Sequence, residues 1–76
     1  MLYIRIKNLR VDNELTQQTI ADYLNVSRGT YKNYENGVRG MSIEILSDIA
    51  DYYNTSTDFL IGRTDIKNPY PKPISN

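Results

Sequence analysis

The stretch from Gln17 to Asn36 constrains this chain most, because it holds two short amphipathic segments joined by a tight turn at Asn25–Val26. Two helices that meet across so short a connection pass close to each other, so their crossing point needs a small side chain. Ala21 is the one small apolar residue of the first segment and stands where that crossing would need it. The turn requires a positive φ, for which asparagine is the next choice after glycine. The apolar residues expected to hold the two helices at a fixed angle are Ile20, Leu24, Val26, Tyr31 and Tyr34.

The spacing of apolar residues and the pattern of capping residues predict five helices. Their predicted ranges are residues 2–13, 16–24, 27–36, 42–53 and 57–61. A serine or threonine stands at the predicted N-cap of each helix from the second onward, and Gly37 ends the third helix. In the fourth helix one face carries Ile43, Leu46, Ile49, Ala50 and Tyr53. Only residues 2–6 fit the alternation of a β-strand as well as the spacing of a helix. The expected fold class is therefore all-α, a compact helical bundle.

A chain of 76 residues with 39% apolar residues has room for one small core. A domain of this size buries only about 60% of the surface that its unfolded chain exposes. The composition changes at residue 65, because all three prolines fall in the last twelve residues. We therefore expect one domain over residues 1–64 and an extended proline-rich tail over residues 65–76. A role of this tail as a polyproline ligand stays open.

The missing residue types exclude most catalytic chemistry. The chain has no cysteine and no histidine, which excludes disulfide frameworks, thiolate nucleophiles, Cys/His zinc sites and serine–histidine relays. Nine aspartate and glutamate residues remain, but no pair of them lies in an apolar segment that would raise a pKa strongly. We therefore expect no enzyme, no metal, no cofactor and no small-molecule ligand.

The apolar runs of the chain are all shorter than the roughly 18 residues of a membrane span. Residues 1–10 alternate apolar and basic side chains, which is not the pattern of a secretory signal. The expectation is a soluble cytoplasmic protein with no membrane partner.

The net charge is zero, but the charges are unevenly distributed along the chain. Residues 1–40 carry six basic and four acidic side chains, whereas residues 41–64 carry one basic and four acidic side chains. Residues 65–76 add a net charge of +1. This asymmetry indicates one cationic working face in the first half of the chain.

The third predicted helix presents a polar strip to the outside. Five of its residues fall within an arc of roughly 140°, and we call them the outer ridge: Arg28, Gly29, Lys32, Asn33 and Asn36. The ridge combines two cations and two amides with no large apolar group. A helix of this kind suits the DNA major groove, where arginine and lysine donate to guanine and asparagine pairs with adenine. The expected base-reading residues are Arg28, Gly29, Lys32 and Asn33.

Other polar residues flank the ridge and are candidates for contacts with DNA phosphates, which fix the register of a protein on the duplex. Gln17 and Gln18 stand at the start of the second helix, where free backbone N–H groups attract anions. The expected phosphate-contacting residues are Gln17, Gln18, Ser27, Asn36 and Arg39.

Four pieces of the sequence carry a family resemblance: RIKNLR, LTQQTIADYLNVS, YKNYENG and STDFLIG. They resemble the Cro/repressor-type helix-turn-helix family, the lambda-repressor-like DNA-binding domains of the XRE family, over roughly residues 4–62. The resemblance implies a five-helix bundle that binds operator DNA as a homodimer, usually as a repressor.

The resemblance also implies roles for single residues. Gln17 matches a phosphate-contacting glutamine, and Arg28, Gly29 and Asn33 match base-reading positions. Arg10 and Glu35 match a partly buried ion pair between the first and third helices. Paired inward in this way, Glu35 would be structural and would not repel DNA.

The chain departs from the family pattern in its turns and core. Glycine is usual where this chain has Asn25, and isoleucine or valine where it has Tyr31. Other departures are Gly40 and Met41, in a region where proline is common, and Thr55 and Thr57, which replace apolar residues.

The sequence-based hypothesis is a sequence-specific transcriptional regulator that binds double-stranded DNA as a homodimer, with the helix over residues 27–36 in the major groove of a palindromic operator. Tyr52, Tyr53 and the fifth helix are candidates for the dimer surface, although Tyr53 is expected in the core. The alternative is a protein-interaction module, an adaptor or antitoxin-like partner, built on the same bundle.

Overall fold

A computed structural model describes residues 4–38 and 40–68 and contains five α-helices, with no strand in the part it describes. The helices are α1 (Ile4–Asp12), α2 (Gln17–Leu24), α3 (Arg28–Glu35), α4 (Ile43–Tyr52) and α5 (Thr57–Leu60). The prediction of an all-α bundle is confirmed. Within the described residues, no helix has the length and apolar character needed to cross a bilayer.

The starts of four helices are fixed by side-chain caps. A serine or threonine oxygen accepts a hydrogen bond from the backbone N–H three residues further on, at 3.0–3.2 Å in each case. These N-caps are Thr16, Ser27, Ser42 and Ser56, as predicted from the sequence. Each cap pairs a backbone donor that would otherwise lack a partner in the first turn.

The turn between α2 and α3 is made by Asn25, which adopts the left-handed conformation with φ 60° and ψ 42°. The backbone N–H groups of Asn25 and Val26 return to the last turn of α2, where Val26 donates to the carbonyl of Ala21 at 3.0 Å. This pattern ends α2 and reverses the chain within two residues. The expected positive φ at Asn25 is therefore confirmed.

The core is one cluster of ten buried side chains drawn from all five helices. They are Ile6, Leu9, Ile20, Ala21, Leu24, Tyr31, Tyr34, Ile49, Ala50 and Leu60. Ala21 is fully buried on α2, and α2 and α3 pack closely against each other. The small side chain at this position therefore lets the two backbones approach, as the sequence predicts.

Several details differ from the sequence-based expectations. Helices α2, α3 and α4 begin one residue later than predicted, and α3, α4 and α5 end one residue earlier. Helix α1 ends at Asp12, because Asn13 already lies in a turn, and its predicted start at Leu2 lies outside the described residues. Ile43 was expected on the buried face of α4 but is 80% exposed. It is the first residue of α4, six residues before the fully buried Ile49, and there the helix extends beyond the core.

A buried ion pair joins α1 to the end of α3. The guanidinium of Arg10 donates from Nε to Glu35 Oε2 at 2.6 Å and from Nη2 to Oε1 at 3.2 Å. Its third donor, Nη1, is 3.0 Å from the carbonyl of Leu15. The side chain of Glu35 is only 1% exposed. Burial alone would raise the pKa of Glu35, but interactions of its carboxylate with Arg10, Tyr31 and Gln17 and the charge of Arg10 outweigh burial and lower this pKa.

Arg5 attaches the segment after α5 to the start of the bundle. Its guanidinium donates to the carbonyls of Phe59 and Thr64 and to the carboxylate of Asp65. It also lies 4.4 Å from the centre of the Phe59 ring, in a cation–π contact. Residues near both ends of the described chain are therefore held together.

Thr55 makes a second connection to this segment. It is buried, and its hydroxyl donates to the carbonyl of Lys67. Thr55 replaces an apolar residue of the family pattern, and its hydroxyl has a hydrogen-bond partner inside the protein. The proline-rich part of the predicted tail, residues 69–76, lies outside the described residues.

The turn at Asn25 gives a first prediction. Asn25→Val should destabilise the fold by about 1–2 kcal/mol, because a β-branched residue resists a positive φ. Asn25→Gly should be close to neutral or stabilising. The matched control is Asn36→Val, which makes the same replacement at the C-cap of α3, where φ is −82°. Urea unfolding measures all three variants, and equal losses at Asn25 and Asn36 would contradict the argument.

The ion pair gives a second prediction. Glu35→Gln should destabilise the protein by about 3–5 kcal/mol at neutral pH, because it leaves Arg10 buried without its counter-charge. The pKa of Glu35 is lower in the folded protein, so the contribution of its charge is complete above the unfolded pKa, near 4.5, and declines as the pH falls below it. The gap between parent and variant should therefore narrow on acidification. Urea unfolding at pH 7 and pH 3 tests this, and a constant gap would contradict it.

Candidate nucleic-acid interface

The outer ridge is an exposed face of the folded protein. Arg28, Gly29, Lys32 and Asn33 are exposed on α3, and Asn36 is exposed at its C-cap. The residues between them turn inward: Tyr31, Tyr34 and Glu35 are buried. The arrangement of polar and apolar residues along α3 therefore matches the arc derived from helical spacing.

Two tyrosines fix the orientation of the ridge. Tyr31 is fully buried and Tyr34 is 7% exposed, so both rings belong to the core. Because these large side chains anchor the inner side of α3, the helix cannot rotate about its axis without removing them from the core. The ridge is therefore presented to solvent in one fixed orientation.

Gly29 leaves a gap in the middle of the ridge that the fold does not require. Its φ is not positive, and a Cβ added at this position would meet no atom within 4 Å. Glycine inside a helix is less favourable than alanine by up to about 1 kcal/mol. Nothing within the described residues explains this glycine, whereas a partner that approaches the backbone closely would.

The two glutamines at the start of α2 are each held by an acidic residue. Gln17 is half-buried, and its Nε2 donates to Glu35 Oε1 at 3.3 Å. Gln18 is exposed, and its Nε2 donates to Asp22 Oδ1 at 2.7 Å. The buried ion pair therefore also orients Gln17, and any contact of Gln18 with a partner competes with Asp22.

The remaining predicted phosphate contacts lie around α3. Ser27 is exposed, and its hydroxyl accepts from the N–H of Thr30 at 3.1 Å and lies 2.8 Å from the hydroxyl of Thr30. Asn36 lies at the opposite end of the helix. Arg39 lies outside the described residues, so its placement stays a prediction.

The sequence analysis missed two residues that organise this surface, Thr30 and Asp22. Thr30 is three residues after Ser27, and Asp22 is four residues after Gln18. Both spacings are those of side chains that meet on one helix face, which is the signal that would have found them.

The charge of the ridge is positive, because Arg28 and Lys32 are exposed there and its other members are neutral. The acidic residues of the second half lie elsewhere, on α4 and α5. In the described ranges, no three acidic side chains come together as a metal site would need. The ridge can therefore donate hydrogen bonds and attract anions.

Comparison with known proteins supports this reading of the geometry. A model of the helix-turn-helix family matches residues 6–60. The HTH-type transcriptional regulator AnsR of Bacillus subtilis is 37% identical over 70 residues, which cover 92% of this chain and 60% of AnsR. Antitoxin PezA of Streptococcus pneumoniae is 33% identical over 69 residues, which cover 91% of this chain and 44% of PezA.

A phage repressor is also similar. The cryptic phage CTXphi transcriptional repressor RstR of Vibrio cholerae is 28% identical over 65 residues, or 86% of this chain and 59% of the repressor. The chain thus spans about half the length of the curated relatives it matches. Because the family model covers most of the sequence, including α2, the turn and α3, the chain belongs to the Cro/repressor-type helix-turn-helix family of DNA-binding domains.

Proposed function

We propose that this protein is a sequence-specific DNA-binding transcriptional regulator, acting as a repressor that occupies a two-fold symmetric operator as a homodimer. The observation that carries the proposal is the outer ridge, an exposed strip of hydrogen-bond donors on a helix whose inner face is locked into the core. The relatives named as transcriptional regulators and as a phage repressor support the same function.

In this proposal α3 enters the major groove and the ridge reads base edges. Arg28 and Lys32 donate to guanine, and Asn33 pairs with adenine, each good bidentate contact giving about 1–3 kcal/mol of discrimination. Gly29 lets the backbone of α3 approach the duplex, which gives a reason for a glycine that the fold does not need.

Phosphate contacts hold the helix in register. Gln17 and Gln18 lie at the N-terminus of α2, and Ser27 lies at the N-terminus of α3, where unpaired N–H groups favour an anion. Asn36 and Arg39 would reach the backbone on the far side of the groove. Gln17 is already oriented by Glu35, so its amide needs little reordering on binding.

The small number of cations on the ridge favours a dimer. One subunit offers two described basic side chains there, so its electrostatic affinity for DNA is modest. Two subunits bound to half-sites about one helical turn apart, roughly 34 Å, would add their contacts. Such a protein works in the compartment that holds the DNA, and we place it in the cytoplasm.

A second function is kept because PezA, an antitoxin, is among the similar proteins. In that case the bundle would also, or only, bind a protein partner. The two functions differ in their response to salt, since binding to DNA releases counterions whereas a module that binds only proteins leaves heparin and DNA unbound.

The first prediction of this proposal concerns Arg28. Arg28→Ala should lower operator affinity by about 1–3 kcal/mol and reduce the preference over unrelated DNA, with little change in melting temperature. The matched control is Arg63→Ala, because Arg63 is an exposed arginine outside the ridge. An operator chosen from a random duplex pool and titrated at several salt concentrations gives both values.

Several outcomes of this experiment count against the proposal. The parent protein should elute from heparin only at raised salt, and its operator affinity should fall steeply as salt increases. A parent protein that binds all sequences equally would contradict base readout. Equal losses for Arg28→Ala and Arg63→Ala would contradict the role of the ridge.

Gly29 gives a prediction with opposite effects on stability and binding. Gly29→Ala should stabilise the fold by up to about 1 kcal/mol, since the added methyl has free space and alanine favours helix. It should weaken operator binding by about tenfold, on the order of 1.4 kcal/mol, because the methyl keeps the backbone from the duplex. Asn8→Ala, at an exposed position of α1, is the control that should leave binding unchanged. Unchanged binding by Gly29→Ala would refute the close approach.

A further inference from the structure

Asp22 places an acidic side chain next to the surface that we propose faces DNA. It is exposed near the C-terminal end of α2, and its Oδ1 accepts a hydrogen bond from Nε2 of Gln18 at 2.7 Å. Among the described residues, no arginine or lysine comes within salt-bridge distance of Asp22. The carboxylate therefore keeps its negative charge beside Gln18, one of the proposed phosphate contacts.

The fold gains little from this carboxylate. Asp22 is the sixth of the eight residues of α2, and the last turn of α2 contains no basic residue. A negative charge in the last turn is unfavourable, because the helix dipole already places partial negative charge at that end. A bond between side chains four positions apart on an exposed helix surface stabilises the helix only weakly. The stability of the folded chain therefore does not explain why an acid stands here.

The bond with Asp22 engages the group with which Gln18 would contact DNA. The amide of Gln18 has two N–H groups, and Asp22 accepts from one of them. A phosphate oxygen bound to the other N–H would lie about 5 Å from the carboxylate oxygen, because both acceptors share one nitrogen. Two anions at this separation repel each other. A phosphate at Gln18 therefore either displaces Asp22 or binds against its charge.

Asp22 also lowers the positive charge of the two helices. The charged side chains of α2 and α3 are Asp22, Arg28, Lys32 and Glu35. Arg10 neutralises Glu35 through the buried ion pair. The effective charge of the two helices is therefore +1 with Asp22 and +2 without it. Because the sequence-independent attraction between proteins and DNA is electrostatic, Asp22 opposes the binding of any duplex.

We propose that Asp22 is an internal competitor of DNA phosphate, which holds the amide of Gln18 in the free protein and limits the affinity for DNA. This inference rests on the proposed function. Phosphate contacts carry no sequence information, so Asp22 lowers the affinity for the operator and for unrelated DNA by the same factor. Tight binding then depends on the base contacts of the outer ridge and on a second subunit.

The test measures how Asp22→Asn and Asp22→Ala bind a selected operator and unrelated DNA. Asp22→Asn removes the charge and keeps an acceptor for Gln18, whereas Asp22→Ala removes both. Each variant should bind both duplexes about threefold to tenfold more tightly than the parent at low salt. The ratio of the two affinities should not change. The gain from Asp22→Asn should shrink as salt rises, because salt screens the repulsion between exposed charges.

The matched control is Asp51→Asn, the same substitution at an exposed position near the C-terminal end of α4. It should leave the affinity for DNA unchanged. A double-mutant cycle with Gln18→Ala tests the competition itself. Asp22→Ala should increase affinity more in the parent than in the Gln18→Ala background, because only the parent has an amide to release. Urea unfolding should show that Asp22→Asn is at least as stable as the parent.

The direction of the change in affinity decides the proposal. Weaker binding by Asp22→Asn and Asp22→Ala would overturn it, because Asp22 would then orient Gln18 for its contact. An equal gain from Asp22→Ala in both backgrounds would overturn the competition for Gln18. Unchanged affinities, with a parent that binds the operator selectively, would refute the role of Asp22 and leave the proposed function intact. A parent that binds neither DNA nor heparin would refute both.

Discussion

Glu35, whose side chain is 1% exposed, is the last residue of α3, the helix that we propose faces DNA. The guanidinium of Arg10, from α1, pairs with the Glu35 carboxylate inside the protein. Arg10 neutralises Glu35, fixes the distance between α1 and α3, and leaves the carboxylate able to accept from Gln17. The packing of α1 on α3 and the placement of the first glutamine of α2 both depend on this one charge. The buried carboxylate of Glu35 therefore helps to position Gln17, a surface residue at the start of α2.

Much of the fold could be predicted because the decisive chemistry is local. The four N-caps satisfy backbone donors only three residues away, and Asn25 adopts a conformation open to few other residues. Ile43 is a residue for which such local rules give the wrong burial. Helical spacing assigns it to the apolar face of α4, but whether a face is covered depends on how far the neighbouring helices extend. Spacing along one helix carries no such information.

The candidate site was predictable to the same extent. Helical periodicity placed Arg28, Lys32 and Asn33 on one exposed arc, and they lie there in the structure. The bonds of Gln17 and Gln18 to acidic residues were not foreseen. Glu35, in particular, is eighteen residues from Gln17 in sequence, and only the packing of α2 on α3 brings them together. The roles of these residues toward bases and phosphates stay predictions.

The contacts of Arg5 have a consequence for how the bundle begins and ends. They span 54 to 60 positions of sequence and join the first helix to the last one and to the segment that follows it. Together with the bond from Thr55 to the carbonyl of Lys67, they extend the packed part of the described chain beyond α5. A domain fused directly after Lys67 would therefore follow a segment that side-chain hydrogen bonds attach to the helical bundle.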